Sequence, residues 1–179
     1  MTCIVGLADE DGVVIGADSS IISGNTMELV AVSKVFRRGD MLFSYTSSFR
    51  MGQLLQYSLD IPPNNCINDD QYMATKFVDA VRECFQTGGF IHHSQGGEEE
   101  GGNFIIGYRG KLWEICPDFQ ATRHAAPYIA VGSGYAVALG ALMALSRVTM
   151  SLEKRAYLAL EASAVHCTEV RPPFHIEKL

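Results

Sequence analysis

The sequence predicts an α+β fold, and three observations predict it. Short β-type runs open the chain and return past its midpoint, helical periodicity fills two separate blocks, and one short strand follows the second block. The order strands, two helices, strands, two helices, strand suggests two antiparallel sheets stacked face to face with a helix pair outside each, a four-layer αββα sandwich. The pattern alone also permits a simpler α+β arrangement. A chain of 179 residues, 47% of them hydrophobic, suffices for one compact domain with its own core, so residues 1–179 are read as a single domain.

The elements follow in order. Residues 2–8 and 13–19 form a hairpin around the acidic turn Asp9-Glu10-Asp11-Gly12, and residues 31–37 and 41–45 form another around Arg38-Gly39-Asp40. From Ser48 the apolar residues Phe49, Leu54, Leu55, Leu59 and then Met73, Phe77, Val81, Cys84 and Phe85 recur at helical spacing. Pro62-Pro63-Asn64-Asn65 divides them into two helices, and Asp69 or Asp70 is placed to cap the second. The stretch 87–102, rich in Gly, His and Glu, has no apolar period and reads as a surface loop. Strands are expected at 103–108, 111–116 and 127–131, helices at 133–147 and 151–166, and a last strand at 174–177 after Pro172-Pro173.

Composition excludes several functions. The net charge is −6 and the fourteen Lys and Arg residues are scattered, so there is no electrostatic footprint for nucleic acid. Five cysteines, odd in number and without C-x-x-C spacing, argue against a disulfide framework or a zinc knuckle and for a reducing cytoplasm. Asp9, Glu10 and Asp11 interrupt any signal peptide. The nearly uncharged run 125–146 contains Pro127, Gly132, Gly134 and Gly140 and reads as strand, turn and helix rather than a membrane span. His92-His93 with Glu98-Glu99-Glu100 sit in a glycine-rich loop without ligand spacing on a rigid element, so no metal and no cofactor is expected.

The chemistry is sought at the start of the chain. A strand that begins at residue 2 with Thr would, after loss of Met1, place a hydroxyl beside an α-amine, the one backbone group able to act as a base near neutral pH. A buried Lys34 beside that hydroxyl would lower the cost of forming an alkoxide, and Asp18 would keep the lysine charged and oriented. Taken singly, each is more commonly a solvated residue at a strand or turn. Cys3 alternates to the opposite face of the strand from Thr2 and reads as core. Ser133, between Gly132 and Gly134, is placed to cap the helix that follows.

Several segments carry a resemblance: Thr2-Cys3-Ile4-Val5, Val13-Val14-Ile15-Gly16-Ala17-Asp18, Gly24-Asn25-Thr26, Ser33-Lys34-Val35, Ile129-Ala130-Val131-Gly132-Ser133-Gly134 and the ending Phe174-His175-Ile176-Glu177-Lys178-Leu179. Across nearly the whole chain the sequence resembles the catalytic β-subunits of proteasomes, and especially the HslV-type peptidases, which are N-terminal nucleophile hydrolases. The resemblance implies the stacked four-layer order. It implies Thr2 as nucleophile and α-amino base, Asp18 and Lys34 as its charged partners, and Ser133 as a proton relay. Matching the aromatic Tyr45 assigns the oxyanion-binding amide to Ser44. The family's supporting aspartate and serine correspond here to Cys167 and Val170, which is a departure.

The activity so implied is that of a threonine endopeptidase acting on peptides or unfolded proteins. It would work inside a ring or related homo-oligomer in the cytoplasm, with an ATPase unfoldase as a possible partner. Two rival readings share the fold: an inactive assembly subunit, favoured by Cys167 and Val170, and a small-molecule amidohydrolase, which would require a deep polar pocket over Thr2.

Overall fold

The computed structural model describes residues 2–93 and 99–179. The chain runs through β1 (Cys3–Asp9), β2 (Gly12–Ala17), β3 (Ser20–Ser23), β4 (Thr26–Leu29), β5 (Val35–Arg38) and β6 (Met41–Tyr45). Helix α1 (Phe49–Tyr57) follows, then α2 (Asp69–Tyr72), a single π-helical stretch Met73–Phe77, and α3 (Val78–Thr87). Next come β7 (His92–His93), β8 (Glu99–Glu100), β9 (Phe104–Tyr108), β10 (Lys111–Ile115), β11 (Ala121–Thr122) and β12 (Tyr128–Gly132). The chain closes with α4 (Tyr135–Leu145), α5 (Leu152–His166) and β13 (His175–Lys178).

Two antiparallel sheets form the centre, one ordered β12-β1-β2-β13 and the other β11-β10-β9-β6-β5. Side-chain alternation along β1 shows how the layers assemble. Ile4 points between the sheets, where it meets Val13, Ile15, Leu42, Ile105 and Val131. Cys3, Val5 and Leu7 point the other way, onto Ala138, Leu142, Ala156 and Leu160 of α4 and α5. The second sheet does the same: Leu42 faces inward, while Met41, Phe43 and Tyr45 pack under the α1–α3 layer with Met51, Leu55, Phe77 and Phe85. The result is the four-layer αββα sandwich.

The differences from the sequence reading have local causes. β3 and β4 form a hairpin that the apolar pattern did not reveal, because β4 is exposed along its whole length and has no buried face. The strand expected at 31–37 begins only at Val35, which leaves Lys34 outside the ladder. The second helix is capped by Asn68, whose side chain accepts from the Gln71 amide at 2.8 Å, not by Asp69 or Asp70. Those two carboxylates reach across to the second sheet: Asp69 to Lys111 at 2.8 Å and Arg109 at 3.2 Å, Asp70 to Arg123 and to the indole N–H of Trp113. Within the stretch 87–102, His92–His93 pairs with Glu99–Glu100, and the rest of the surface-loop reading, at residues 94–98, lies outside the described residues. No described helix is long and apolar enough to cross a membrane.

Candidate active site

The N-terminal ends of β1 and β5 and the C-terminal ends of β2 and β12 meet at one end of the sandwich. The strand register brings them there: Cys3 lies opposite Gly132, and Ile4 opposite Ala17. Thr2, Asp18 and Lys34, spread over 33 residues of sequence, therefore converge. Lys34 Nζ donates to Thr2 Oγ1 at 3.0 Å, to Asp18 Oδ1 at 3.0 Å and to the Ser20 carbonyl at 2.7 Å. All three side chains are buried, Lys34 at 1% and Asp18 at 0% exposure. Burial pulls the Lys34 ammonium below its usual pKa, and the Asp18 carboxylate pushes the other way.

Asp18 is held from two sides. Its Oδ1 accepts from the Cys3 amide at 3.0 Å as well as from Lys34. Its Oδ2 accepts from the Ser20 amide at 3.0 Å, from Ser20 Oγ, and from the Arg171 amide at 3.3 Å. A buried carboxylate so surrounded is fully satisfied and fixed in orientation. Ser20 and Arg171 are the members that sequence reasoning missed. Ser20 had a signal, since it sits two residues beyond Asp18, where a hydroxyl and an amide can both return to the carboxylate. Arg171 had none, because it contributes through its main chain.

Ser133 lies on the β12 side. The helix-capping role expected of it is not used: the N-cap of α4 is Gly134, with no side-chain cap. Ser133 Oγ instead donates to the Thr2 carbonyl at 3.4 Å. Gly132 supports this close approach with φ +93, and a Cβ there would lie 2.0 Å from the Thr2 carbonyl oxygen. Cys3 packs on α5 as expected, and burial pushes its thiol up to about 12, so it stays protonated and unreactive.

The Ser44 amide, to which the resemblance assigns the oxyanion, is directed to the β9 edge of its strand. Successive amides of an antiparallel strand point to opposite edges. Thr46 donates to the Asn103 carbonyl at 3.1 Å, so Ser44, two residues earlier and opposite Ile105, also directs its amide to β9. The amide of Tyr45 faces the other edge, where pairing with β5 ends at Val35–Ser44. Tyr45 also lines a shallow recess with Thr2, Thr46, Ser47, Ser48 and Phe49. An aromatic match along the sequence cannot fix this parity; the two-residue turn Gly39-Asp40 does.

Cys167 and Val170 bring no carboxylate or hydroxyl. Val170 is fully buried, and a Cβ on Gly134 would lie 2.8 Å from its Cγ2, so apolar packing fills that corner.

Solved structures share this fold. Thiobacillus denitrificans BPH is similar with a TM-score of 0.83 at 21% identity, covering 99% of this chain and 98% of its own. The same protein in complex with epoxomicin gives 0.82 at 22%, covering 99% of both chains. The fold is that of a proteasome-like N-terminal nucleophile hydrolase. Eukaryotic HslV from Trypanosoma brucei is similar at a TM-score of 0.73 and 20% identity over 98% of both chains. Anbu from Hyphomicrobium sp. strain MC1, as a Gly-1 mutant, gives 0.70 at 18%, covering 100% of this chain and 81% of its own. No protein-family model and no curated protein matches the sequence.

Proposed function

We propose that this chain is a threonine endopeptidase in which Thr2 becomes the nucleophile once Met1 is removed. The observation that carries the reading is the buried Lys34 ammonium, 3.0 Å from Thr2 Oγ1 and 3.0 Å from Asp18. Thr2 Oγ attacks a peptide carbonyl, and the freed α-amine, with an ordinary pKa of roughly 7.7 to 8.0, takes the hydroxyl proton. Lys34 stabilises the alkoxide as it forms, and the Tyr45 amide receives the oxyanion. The amine returns its proton to the leaving amine, leaving an ester on Thr2. A water then loses a proton to the same amine, attacks the ester and regenerates the hydroxyl. Ser133, beside the Thr2 main chain, relays protons to and from the amine.

In this reading the substrates are peptides or unfolded chains. The protein works in the cytoplasm as a homo-oligomer, a ring or related assembly, that encloses the site, and an ATPase unfoldase is the class of partner that would feed it. The shared fold supports the homo-oligomer. The epoxomicin complex of the Thiobacillus protein supports the choice of probe. A second reading, an inactive assembly subunit, is favoured by one observation: Cys167 and Val170 bring no carboxylate or hydroxyl and pack with the apolar core.

Intact-mass measurement before and after incubation with epoxomicin tests the proposal. Loss of Met1 and a single adduct that Thr2→Ala abolishes are expected. Retained Met1, or an adduct indifferent to Thr2→Ala, would leave the assembly-subunit reading in place.

A further inference from the structure

We infer that Arg171 is a positioning residue that holds the Asp18–Lys34 pair in its reactive arrangement. The inference rests on the peptidase reading but concerns a residue to which that reading gives no role.

In the segment after α5, Val170 is buried in the core and Cys167 is packed against it, so neither side chain brings a charge or a hydroxyl. Arg171 supplies the organisation. Its Nη1 donates to the carbonyls of Val170 at 2.7 Å, Cys167 at 3.1 Å and Ala164 at 3.4 Å. Ala164 lies in the last turn of α5 and Cys167 is its C-cap, where a cation is favoured, while Val170 belongs to the turn that follows. The two N–H groups of this one nitrogen are shared among the three carbonyls, the shortest contact being to Val170.

The segment so folded turns two main-chain groups onto the site. The Arg171 amide donates to Asp18 Oδ2 at 3.3 Å, and the Glu169 carbonyl shares the single proton of Ser20 Oγ with that same carboxylate oxygen. The Arg171 carbonyl also accepts from the Ser19 amide at 3.1 Å. Asp18 is thus gripped on Oδ1 by the strand that carries Thr2 and on Oδ2 by Ser20 together with the segment that Arg171 folds. Loosening the second grip frees the carboxylate to move away from Lys34. The groups facing Lys34 are the Asp18 carboxylate, the Cys3 thiol and, after processing, the Thr2 amine; only Asp18 carries a negative charge there. Losing its proximity favours the neutral lysine.

The test uses Arg171→Met and Arg171→Lys in the processed protein. The first readout is the rate of Thr2 modification by epoxomicin from pH 6 to 10. Arg171→Met is expected to react at least 10-fold more slowly, with its alkaline decline moved to lower pH; Arg171→Lys is expected to recover part of both. The second readout is the titration of 13Cε-labelled Lys34 by NMR, which does not depend on activity. Arg171→Met is expected to lower its midpoint. A slower reaction with an unmoved alkaline limb and an unmoved Lys34 midpoint would reduce Arg171 to a structural role and overturn the inference. If the unmodified protein forms no adduct, the peptidase reading fails, while the Lys34 midpoint still decides for or against Arg171.

Discussion

Lys34 and Asp18 meet at 3.0 Å with 1% and 0% of their side chains exposed, whereas Lys111 and Asp69 meet at 2.8 Å with 42% and 13% exposed. The two pairs have the same chemistry and opposite logic. At the outer pair the hydrogen bond from Lys111 dominates, and it holds the Asp69 carboxyl below its usual range. At the inner pair burial dominates and pulls the lysine down despite its partner. A pair withdrawn from water is a weak source of stability, because desolvation offsets its attraction. Its place against a threonine hydroxyl therefore speaks for reactivity. The outer pair fastens α2 to the β9–β10 turn and has no reacting group beside it.

Substitutions can break this contrast, and the largest effect is expected at Asp18. Asp18→Asn leaves a buried ammonium without its counter-charge, which costs about 3–5 kcal/mol. Denaturant unfolding should show that loss, and epoxomicin should no longer label Thr2. Lys34→Met is expected to abolish labelling equally but to cost less stability, about 1–2 kcal/mol. Asp18 would keep its bonds from Cys3, Ser20 and Arg171. If Lys34→Met proved the more destabilising of the two, the inner pair would be stabilising the fold rather than serving the threonine.

The smallest effect is expected at the outer pair. Asp69→Asn should lower stability by only about 1 kcal/mol, since its partners are half in solvent, and should leave labelling untouched. The pH dependence has a definite sign. A carboxyl depressed in the folded state stabilises above its unfolded pKa, about 3.9, and the contribution is lost as pH falls through the lower folded value. The thermal midpoints of wild type and Asp69→Asn should therefore differ at pH 7 and converge below about pH 3. A gap that persisted there would assign the effect to packing.

The grouping of Thr2, Asp18 and Lys34 was legible through the resemblance to proteasome β-subunits, which implies all three together; the apolar alternation of β1 by itself fixed only which residues face which layer. The β3–β4 hairpin was harder, since its residues bury no face; yet Gly24-Asn25, two residues between Ser23 and Thr26, is a two-residue turn signal that a stricter reading would have used. The edge to which the Ser44 amide turns was out of reach, because that parity depends on the length of the Gly39-Asp40 turn at the far end of the hairpin. Arg171 was out of reach for a different reason: its bond to Asp18 is made by its main-chain amide, which leaves no mark on residue type.

The ladder order β1-β2-β13 has a mechanical consequence. β1 and β13 both run antiparallel to β2, so they run parallel to each other on its two sides. Tension applied between Cys3 and Lys178 would draw β1 toward the threonine end and β13 toward the opposite end. Both ladders of β2 would then be loaded in shear, many hydrogen bonds at once, rather than unzipped one at a time. A translocating motor that seized either strand would meet the sandwich along its most resistant direction.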